Sequence, residues 1–172
     1  INIYLKSWEF PYDSLSKGKK ITIANLLSHT AGLTVHGFAG YEKGDTIPAL
    51  IQILNGEKPA NSKAIRSMYE PSLRSEYSGG GTTISQLILQ DVTGQPYDTY
   101  MWNNVLNPTG MSNSFYTQPP PAGKENLLAT GYYNDGKEVK GKYHIYPEQA
   151  AAGLWTTPTD LAKYIIETQL SL

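Results

Sequence analysis

Residues 77–81 read Tyr77-Ser78-Gly79-Gly80-Gly81, a tyrosine at the entrance of a glycine-rich turn. A helical pattern follows at once, because apolar residues recur every three or four positions, at Ile84, Leu87, Ile88 and Val92. We expect a helix from about Thr82 to Thr93 that buries these four side chains and ends at Gly94. The three glycines before it are typical of a tight turn with positive φ angles.

The composition fits a single globular domain without a strong net charge. The chain has 172 residues, which is long enough to bury a core, and its formal net charge is −1. Interspersed acidic and basic residues exclude the basic footprint of a nucleic-acid-binding surface. The absence of cysteine excludes a disulfide framework and a thiolate metal site. No apolar run reaches the length of a membrane-spanning helix, about 20 residues.

Local capping signals predict four further helices, over residues 22–27, 46–54 and 96–107 and from residue 158 onward. Thr22 and Thr157 are predicted N-caps, and Pro48 is expected in the first turn of its helix. The turn Asn134-Asp135-Gly136, between residues 128–133 and the residues from 137 onward, predicts a β-hairpin. The chain is therefore predicted to be mainly helical, with one small antiparallel piece.

Apolar spacing also predicts which side chains these helices bury. In the first helix they are Ile23, Leu26 and Leu27. In the helix that starts at Pro96 they are Tyr97, Tyr100, Met101 and Val105. In the last helix they are Leu161, Tyr164, Ile165 and Leu170.

Three other stretches accompany the tyrosine motif. Residues 26–33 read Leu26-Leu27-Ser28-His29-Thr30-Ala31-Gly32-Leu33, and residues 107–111 read Asn107-Pro108-Thr109-Gly110-Met111. Residues 151–161 read Ala151-Ala152-Gly153-Leu154-Trp155-Thr156-Thr157-Pro158-Thr159-Asp160-Leu161. In this order the four stretches resemble the serine β-lactamase and penicillin-binding-protein family, in its class C-like branch with DD-peptidases and esterases. Each stretch alone is a weak signal, and Thr109 stands where the family has leucine.

The resemblance implies acyl transfer by a nucleophilic serine. In the family a serine attacks an amide, ester or β-lactam carbonyl and forms an acyl-enzyme, and a lysine follows it in a Ser-x-x-Lys motif. A tyrosine from a Tyr-x-Asn motif helps to move the proton to the leaving group, and Tyr77 matches that tyrosine. A phenol has a pKa of about 10, so Tyr77 needs a nearby cation to act as a base at neutral pH. The alternative is a tyrosine that only packs at a helix entrance.

Substrate contacts are expected from His36, Ser78 and Gly79. His36 follows the His-Thr-Ala-Gly-Leu turn at a position that lines the mouth of the cleft in the family, and an exposed loop histidine is the alternative. Gly79 stands where the family has an asparagine, which favours an esterase or a broad peptidase over a β-lactamase. His29 matches the family's structural turn, and the alternative of a catalytic base lacks an acidic residue at a suggestive spacing. Residues 146–153 border the same cleft by resemblance, either as a path for substrate or as close packing.

The nucleophile motif and the closing strand motif of the family are not recognisable. Ser14-Leu15-Ser16-Lys17 and Ser16-Lys17-Gly18-Lys19 have Ser-x-x-Lys spacing, but they stand in a polar loop instead of at the start of a buried helix. No Lys-Thr-Gly or His-x-Gly motif follows Asp160. We therefore expect an α+β fold, mainly α. It would be the helical domain of the β-lactamase/DD-peptidase-like fold with a small β-hairpin, and most of the α/β sheet domain would be absent.

The expected function is part of a serine hydrolase that acts by acyl transfer on β-lactam, D-amino-acid peptide or ester substrates. Residues 1–172 would form one domain, a fragment of the larger enzyme, that contributes Tyr77 and a cleft wall and is inactive alone. The expected partners are a small-molecule or peptide substrate and the missing α/β domain of the same protein. No cofactor, metal or nucleic acid is expected.

Two other functions stay open at this point. The chain is a non-catalytic module that binds peptidoglycan or peptides, or it is a minimal hydrolase in which Ser14 is the nucleophile. Ile1–Trp8 has neither an initiating methionine nor the features of a signal peptide, so we expect the chain to begin in mid-protein. We expect a secreted or periplasmic location, in the bacterial cell envelope.

Overall fold

The longest helix, Gly79–Thr93, is the element on which most other helices pack. The computed structural model of the chain describes residues 1–171 and is mainly helical. Its α-helices are α1 (Ile23–Leu27), α2 (Leu50–Asn55), α3 (Gly79–Thr93), α4 (Tyr97–Met101), α5 (Gln149–Ala152) and α6 (Pro158–Leu170). Short 3₁₀ helices cover Ser14–Ser16 and Glu125–Leu127, and a π-helical turn, Trp102–Leu106, continues α4.

Helix α3 begins three residues earlier than the apolar pattern predicts. Ser78 is its N-cap, and the Ser78 hydroxyl accepts a hydrogen bond from the Gly81 N–H (3.0 Å). Gly79, Gly80 and Gly81 therefore form the first helical turn, and the expected positive-φ turn at these glycines is wrong. At the other end, Gly94 closes the helix with a φ of 68°, as predicted.

The core lies between α3 and the N-terminal third of the chain. Ile84, Leu87 and Ile88 are buried, which confirms three of the four predicted positions. They share one apolar cluster with residues that include Phe10, Ile21, Leu26, Leu33, Leu54 and Ile65. The predicted burial of Val92 is wrong, because its side chain is 54% exposed and lines an open groove with Tyr4, Ile23 and Tyr100.

Helix α1 starts where its capping signal predicts. Thr22 is the N-cap, and Thr22 and Asn25 form a reciprocal capping box. Leu26 is buried, whereas Ile23 and Leu27 are exposed, so the predicted inward face is wrong for two of its three side chains. The helix has only 5 residues and packs on α3 with one side, which leaves the other side to solvent.

Helix α2 begins four residues later than predicted, at Leu50. The Gln52 side chain accepts a hydrogen bond from the Ala49 N–H (2.9 Å), which makes Ala49 the cap. Pro48 therefore precedes the helix, and its predicted place in the first turn is wrong. Gly56 ends α2 with a φ of 67°.

Helix α4 starts just after Pro96, as predicted, but it changes to π-helical geometry after Met101. Tyr97 is buried, while Tyr100, Met101 and Val105 are only half-buried. Leu106, which the apolar spacing did not select, is the buried residue of the π-helical turn.

Helix α6 is attached through a buried carboxylate in its first turn. Thr157 caps the helix, and Pro158 opens it, as predicted. The fully buried Asp160 accepts hydrogen bonds from the Asn113 N–H (2.7 Å) and the Ser114 hydroxyl (2.9 Å), and it pairs with Lys163 (3.0 Å). The predicted core face is wrong, because its four side chains are exposed: Leu161, Tyr164, Ile165 and Leu170.

Extended structure is limited to single bridging pairs within residues 1–171. The predicted hairpin is present as a turn: Tyr132 and Glu138 bridge, and the Tyr133 N–H donates to the Lys137 carbonyl (2.8 Å). Gly136 has a φ of 82°, which suits this turn. Other bridges join Leu33 to Ser67, Tyr41 to Ile145 and Phe115 to Trp155. None of the helices described is long and apolar enough to span a membrane.

Alanine substitutions at Gly80 and Gly81 form a matched test of this packing. At Gly80 a Cβ atom would lie 2.9 Å from the Thr34 carbonyl oxygen and 3.1 Å from the Ile65 side chain. We therefore expect Gly80→Ala to lower the free energy of unfolding by about 1–3 kcal/mol.

At Gly81 the atom nearest to an added Cβ lies at 3.5 Å, so the Gly81→Ala side chain is accommodated. It should raise the free energy of unfolding by roughly 0.5–1 kcal/mol, because alanine loses less backbone entropy. Urea unfolding measures both, and equal effects would contradict the close approach.

Candidate active site

The Tyr77 side chain lies at the surface, immediately before the cap of α3. It is 57% exposed, and its ring packs against the His29 ring with centroids 4.6 Å apart and planes tilted by 45°. Because the cap residue Ser78 is buried, the exposed phenol marks the boundary between the core and the solvent. Tyr77 therefore has the accessibility that a group reacting with a substrate needs.

The peptide unit between Tyr77 and Ser78 is held at both ends by histidine side chains. The Ser78 N–H donates to Nδ1 of His29 (3.3 Å), and the Tyr77 carbonyl oxygen lies 2.6 Å from Nδ1 of His36. A carbonyl oxygen only accepts, so Nδ1 of His36 carries a proton, whereas Nδ1 of His29 is the acceptor. The structure thus brings the two predicted residues Tyr77 and His36 together, and it adds His29 to them.

A strained main chain places His36 beside the tyrosine. Val35 has a φ of 66°, which is uncommon for a β-branched residue and is found where the surroundings enforce it. In this conformation the Val35 carbonyl accepts the Gly80 N–H (3.0 Å), and the His36 carbonyl accepts the Gly79 N–H (3.4 Å). The first turn of α3 therefore holds the loop that carries His36.

Glu76 joins the site although the sequence analysis did not select it. One of its oxygens accepts hydrogen bonds from Arg74 (2.8 Å) and the Tyr69 hydroxyl (3.0 Å), and the other lies 3.7 Å from Nε2 of His36. The hydrogen bonds from Arg74 and then from Tyr69 hold the pKa of Glu76 below its usual value. The signal available in the sequence is its position directly before Tyr77, but its partners come from the fold.

Ser78 and Gly79 are buried at the start of α3, and their role in binding substrate stays a prediction. The Ser78 hydroxyl is buried and lies 3.2 Å from the Thr34 carbonyl and 3.3 Å from the Val35 carbonyl, in addition to capping α3. Gly79 is also buried, and a Cβ atom there would lie 3.2 Å from the Phe38 ring. Both residues are therefore occupied by the packing of α3, and the accessible groups of the site are Tyr77 and His36.

The two Ser-x-x-Lys spacings join a serine and a lysine only through main-chain hydrogen bonds, and no serine hydroxyl of the described residues is bonded to a lysine ammonium. The buried Ser16 hydroxyl donates to the Asp13 carbonyl (2.7 Å). Lys17 and Lys19 pair with Glu70, at 3.5 Å and 3.0 Å. Among residues 1–171 there is also no group of three acidic or histidine side chains placed to hold a metal ion.

Residues 146–153 pack closely against α3, which favours the packing interpretation of their small side chains. The Gln86 side chain donates to the Pro147 carbonyl (3.1 Å) and accepts the Ala150 N–H (3.0 Å). Gly153 has no room for a side chain, because a Cβ atom would lie 2.6 Å from Gln149. This segment therefore forms a wall that the Gln86 side chain attaches to α3.

Glu148, in the same wall, is a fully buried carboxyl group without a hydrogen-bond partner on either oxygen. Loss of water on burial raises the pKa of Glu148 to about 7. Burial, and to a smaller extent the Glu148 charge, raises the pKa of the Tyr41 and Tyr146 phenols. The group is not part of the Tyr77 site, but it links the stability of the wall to pH.

Comparisons with known proteins relate this chain to the same group of proteins by sequence and by structure. The family model described as Beta-lactamase matches residues 4–172. PbpX of Bacillus subtilis (strain 168), assigned as a penicillin-binding protein, is 27% identical over 151 residues, or 86% of this chain and 35% of PbpX. A protein of Escherichia coli (strain K12), assigned as a D-alanyl-D-alanine carboxypeptidase, is 24% identical over 145 residues, or 84% of this chain and 32% of that protein. The chain spans roughly one third of the length of these relatives.

The fold agrees with this relationship. The β-lactamase/D-alanine carboxypeptidase from Pseudomonas syringae has a TM-score of 0.61 and 21% sequence identity to this chain. The match covers 89% of this chain and 39% of that one. The helical architecture described above is therefore that of β-lactamase-fold proteins.

Glu148→Gln tests the buried carboxyl group through the pH dependence of stability. The unfolded carboxyl has a pKa near 4.5 and the folded one a pKa of about 7, so the folded chain holds a proton that the unfolded chain releases. As pH rises from 4.5 to 7, the free energy of unfolding of the wild type should fall by roughly 3 kcal/mol from this group, at about 1.4 kcal/mol per pKa unit. Glu148→Gln should lack this decline.

Urea unfolding at several pH values measures the difference. The control is Glu167→Gln, which changes an exposed carboxylate of α6 and should keep the wild-type slope. A Glu148→Gln slope equal to that of the control would contradict the burial of an unpaired carboxyl.

Proposed function

This chain belongs to the β-lactamase family, and from that premise we propose that it supplies the catalytic tyrosine, Tyr77, of a serine hydrolase. The observation that carries the proposal is the exposed Tyr77 phenol on a peptide unit fixed by two histidines. A group that moves protons must be both accessible to substrate and held in one direction. Among the residues selected from the motif, Tyr77 meets both conditions.

The proposed reaction is acyl transfer. The Tyr77 phenolate takes the proton of the attacking serine hydroxyl while the serine oxygen bonds to the substrate carbonyl carbon. The phenol then gives that proton to the leaving nitrogen or oxygen, and an acyl-enzyme remains. The Arg74 guanidinium pairs with the Glu76 carboxylate (2.8 Å), so its charge is not available to stabilise the Tyr77 phenolate. We propose that the serine, and the lysine that stabilises the phenolate, come from an α/β domain of the same protein.

The proposed substrates are β-lactams, D-amino-acid peptides and esters. The names of the relatives, a penicillin-binding protein and a D-alanyl-D-alanine carboxypeptidase, support the first two classes. Gly79 offers no carboxamide, and its free side faces the Phe38 ring, which favours esters or varied peptides over substrates that need an amide contact. Since D-amino-acid peptides are constituents of the bacterial cell wall, we propose a secreted or periplasmic location.

Intact mass spectrometry of the chain before and after exposure to a fluorophosphonate and to a penicillin tests where the nucleophile lies. We expect the mass to stay at 19.0 kDa, because no serine hydroxyl within residues 1–171 is hydrogen-bonded to a lysine ammonium. A stoichiometric adduct at Ser14, Ser16 or Ser78 would contradict the proposal and would make the chain a minimal hydrolase. Hydrolysis of either class of substrate that survives purification and vanishes in Tyr77→Phe would contradict it as well.

Calorimetry with stem-peptide mimics separates the proposal from the non-catalytic binding module. The module interpretation requires a complete site in this chain, so it predicts micromolar binding that His36→Ala weakens. We expect no binding at millimolar ligand, because half of the proposed cleft lies outside these residues.

Sedimentation velocity tests the proposed partner domain. Large apolar side chains stay exposed on α6 and near the N-terminus, including Leu161, Ile165, Ile166, Leu170, Ile3 and Leu27. We propose that the α/β domain covers such surface, so the chain without it should associate as its concentration rises. Leu161→Glu with Ile165→Glu should reduce the association, whereas Glu167→Gln should not. A wild-type monomer at all concentrations would contradict the expectation.

A further inference from the structure

We propose that His29 is a positioning residue that sets the direction of the Tyr77 phenol, an inference that rests on the proposed role of Tyr77. His29 stands 48 positions before Tyr77 in the sequence, yet it contacts the tyrosine and both of its chain neighbours. It holds them with its carbonyl, its ring nitrogen and its ring face. Two of these contacts act on the residues that flank the tyrosine, and the third acts on its ring.

The first two contacts fix the main chain on either side of Tyr77. The His29 carbonyl accepts the Glu76 N–H at 2.8 Å, and Nδ1 of His29 accepts the Ser78 N–H at 3.3 Å. With the chain held before and after the tyrosine, the Cα–Cβ bond of Tyr77 has one direction. The His36 contact with the Tyr77 carbonyl supports the same peptide unit from its other end.

The third contact fixes the side chain itself. The rings of His29 and Tyr77 are 4.6 Å apart and tilted by 45°. Within residues 1–171, the His29 ring is the aromatic ring that contacts the Tyr77 ring, and Tyr77 is otherwise exposed to solvent. A surface tyrosine without such a contact samples several staggered χ1 rotamers. The His29 ring therefore provides the restraint that selects one rotamer.

The geometry also argues against the catalytic-base alternative for His29. Its Nδ1 is already the acceptor for the Ser78 N–H. No carboxylate of the described residues is hydrogen-bonded to its ring, so the third group that orients a catalytic histidine is missing there. His29 acts through Tyr77 and does not need to touch the substrate.

The main-chain conformation of His29 indicates which substitutions keep the fold. His29 has a φ of 55°, a left-handed conformation that asparagine adopts more readily than most residues. The Oδ1 atom of asparagine can accept the Ser78 N–H as Nδ1 does. His29→Asn therefore keeps the acceptor and loses the ring, while His29→Phe keeps a ring and loses the acceptor. His29→Ala loses both.

NMR spectroscopy of the chain and these three variants tests the proposal. The Tyr77 Hα–Hβ couplings report whether χ1 is fixed, and the Ser78 amide proton shift reports the hydrogen bond to residue 29. We expect one Tyr77 rotamer in the wild type and in His29→Phe, and rotamer averaging in His29→Asn and His29→Ala. The Ser78 amide should keep its downfield shift in His29→Asn and lose it in His29→Phe and His29→Ala.

The control is His144→Asn, which changes a histidine paired with Tyr133 and should leave both signals unchanged. An averaged Tyr77 rotamer in the wild type, or one fixed rotamer in all variants, would overturn the positioning role. These signals need no turnover, so they are independent of the proposed function. A serine adduct within this chain would refute that function and leave the couplings as they are.

Discussion

The first turn of α3 touches the main chain of residues 34–36 directly, and the site depends on this contact. The Gly80 N–H donates to the Val35 carbonyl at 3.0 Å, and a Cβ at Gly80 would lie 2.9 Å from the Thr34 carbonyl. Because no side chain separates the two segments, the start of the helix has a fixed position relative to His36. Tyr77 lies one residue before the cap, so its position follows from the same contact. This contact requires a left-handed backbone conformation at Val35, which is energetically unfavourable for a β-branched residue.

Some capping residues were predictable from the sequence, whereas the N-caps of α2 and α3 and the buried faces of several helices were not. Thr22, Thr157 and Gly94 act on neighbouring residues, so their effect is local and the structure confirms it. Apolar spacing shows which side chains share a face, but it does not show whether another element covers that face. Val92 and Leu161 follow the helical spacing and remain exposed for this reason. The attachment of α6 through the buried Asp160 also depends on partners far away in the chain.

The candidate site shows the same difference between features that neighbouring residues determine and features that distant partners determine. The motif selected Tyr77 and His36 as candidates, because both belong to stretches with a recognisable order, and the fold brings them close together. The pairing of Glu76 with Arg74 and Tyr69 and the inward direction of Ser78 could not be predicted. The Ser78 contacts span more than 40 positions of the sequence, and which hydroxyl or carboxylate meets which carbonyl is decided only when the chain folds. Gly79 is a further example, since its close approach to Phe38 joins two segments that are far apart in the sequence.

The histidines at the two ends of the Tyr77–Ser78 peptide unit have opposite hydrogen-bond polarity. Nδ1 of His29 accepts a hydrogen bond from the Ser78 N–H, whereas Nδ1 of His36 donates one to the Tyr77 carbonyl. The two positions therefore have different chemical requirements, an acceptor at residue 29 and a donor at residue 36. A side chain that only accepts, such as a carboxylate, would suit the first position and would meet the carbonyl oxygen at the second as one acceptor against another. The tyrosine is held by an asymmetric clamp, in which one ring acts as the acceptor and the other as the donor.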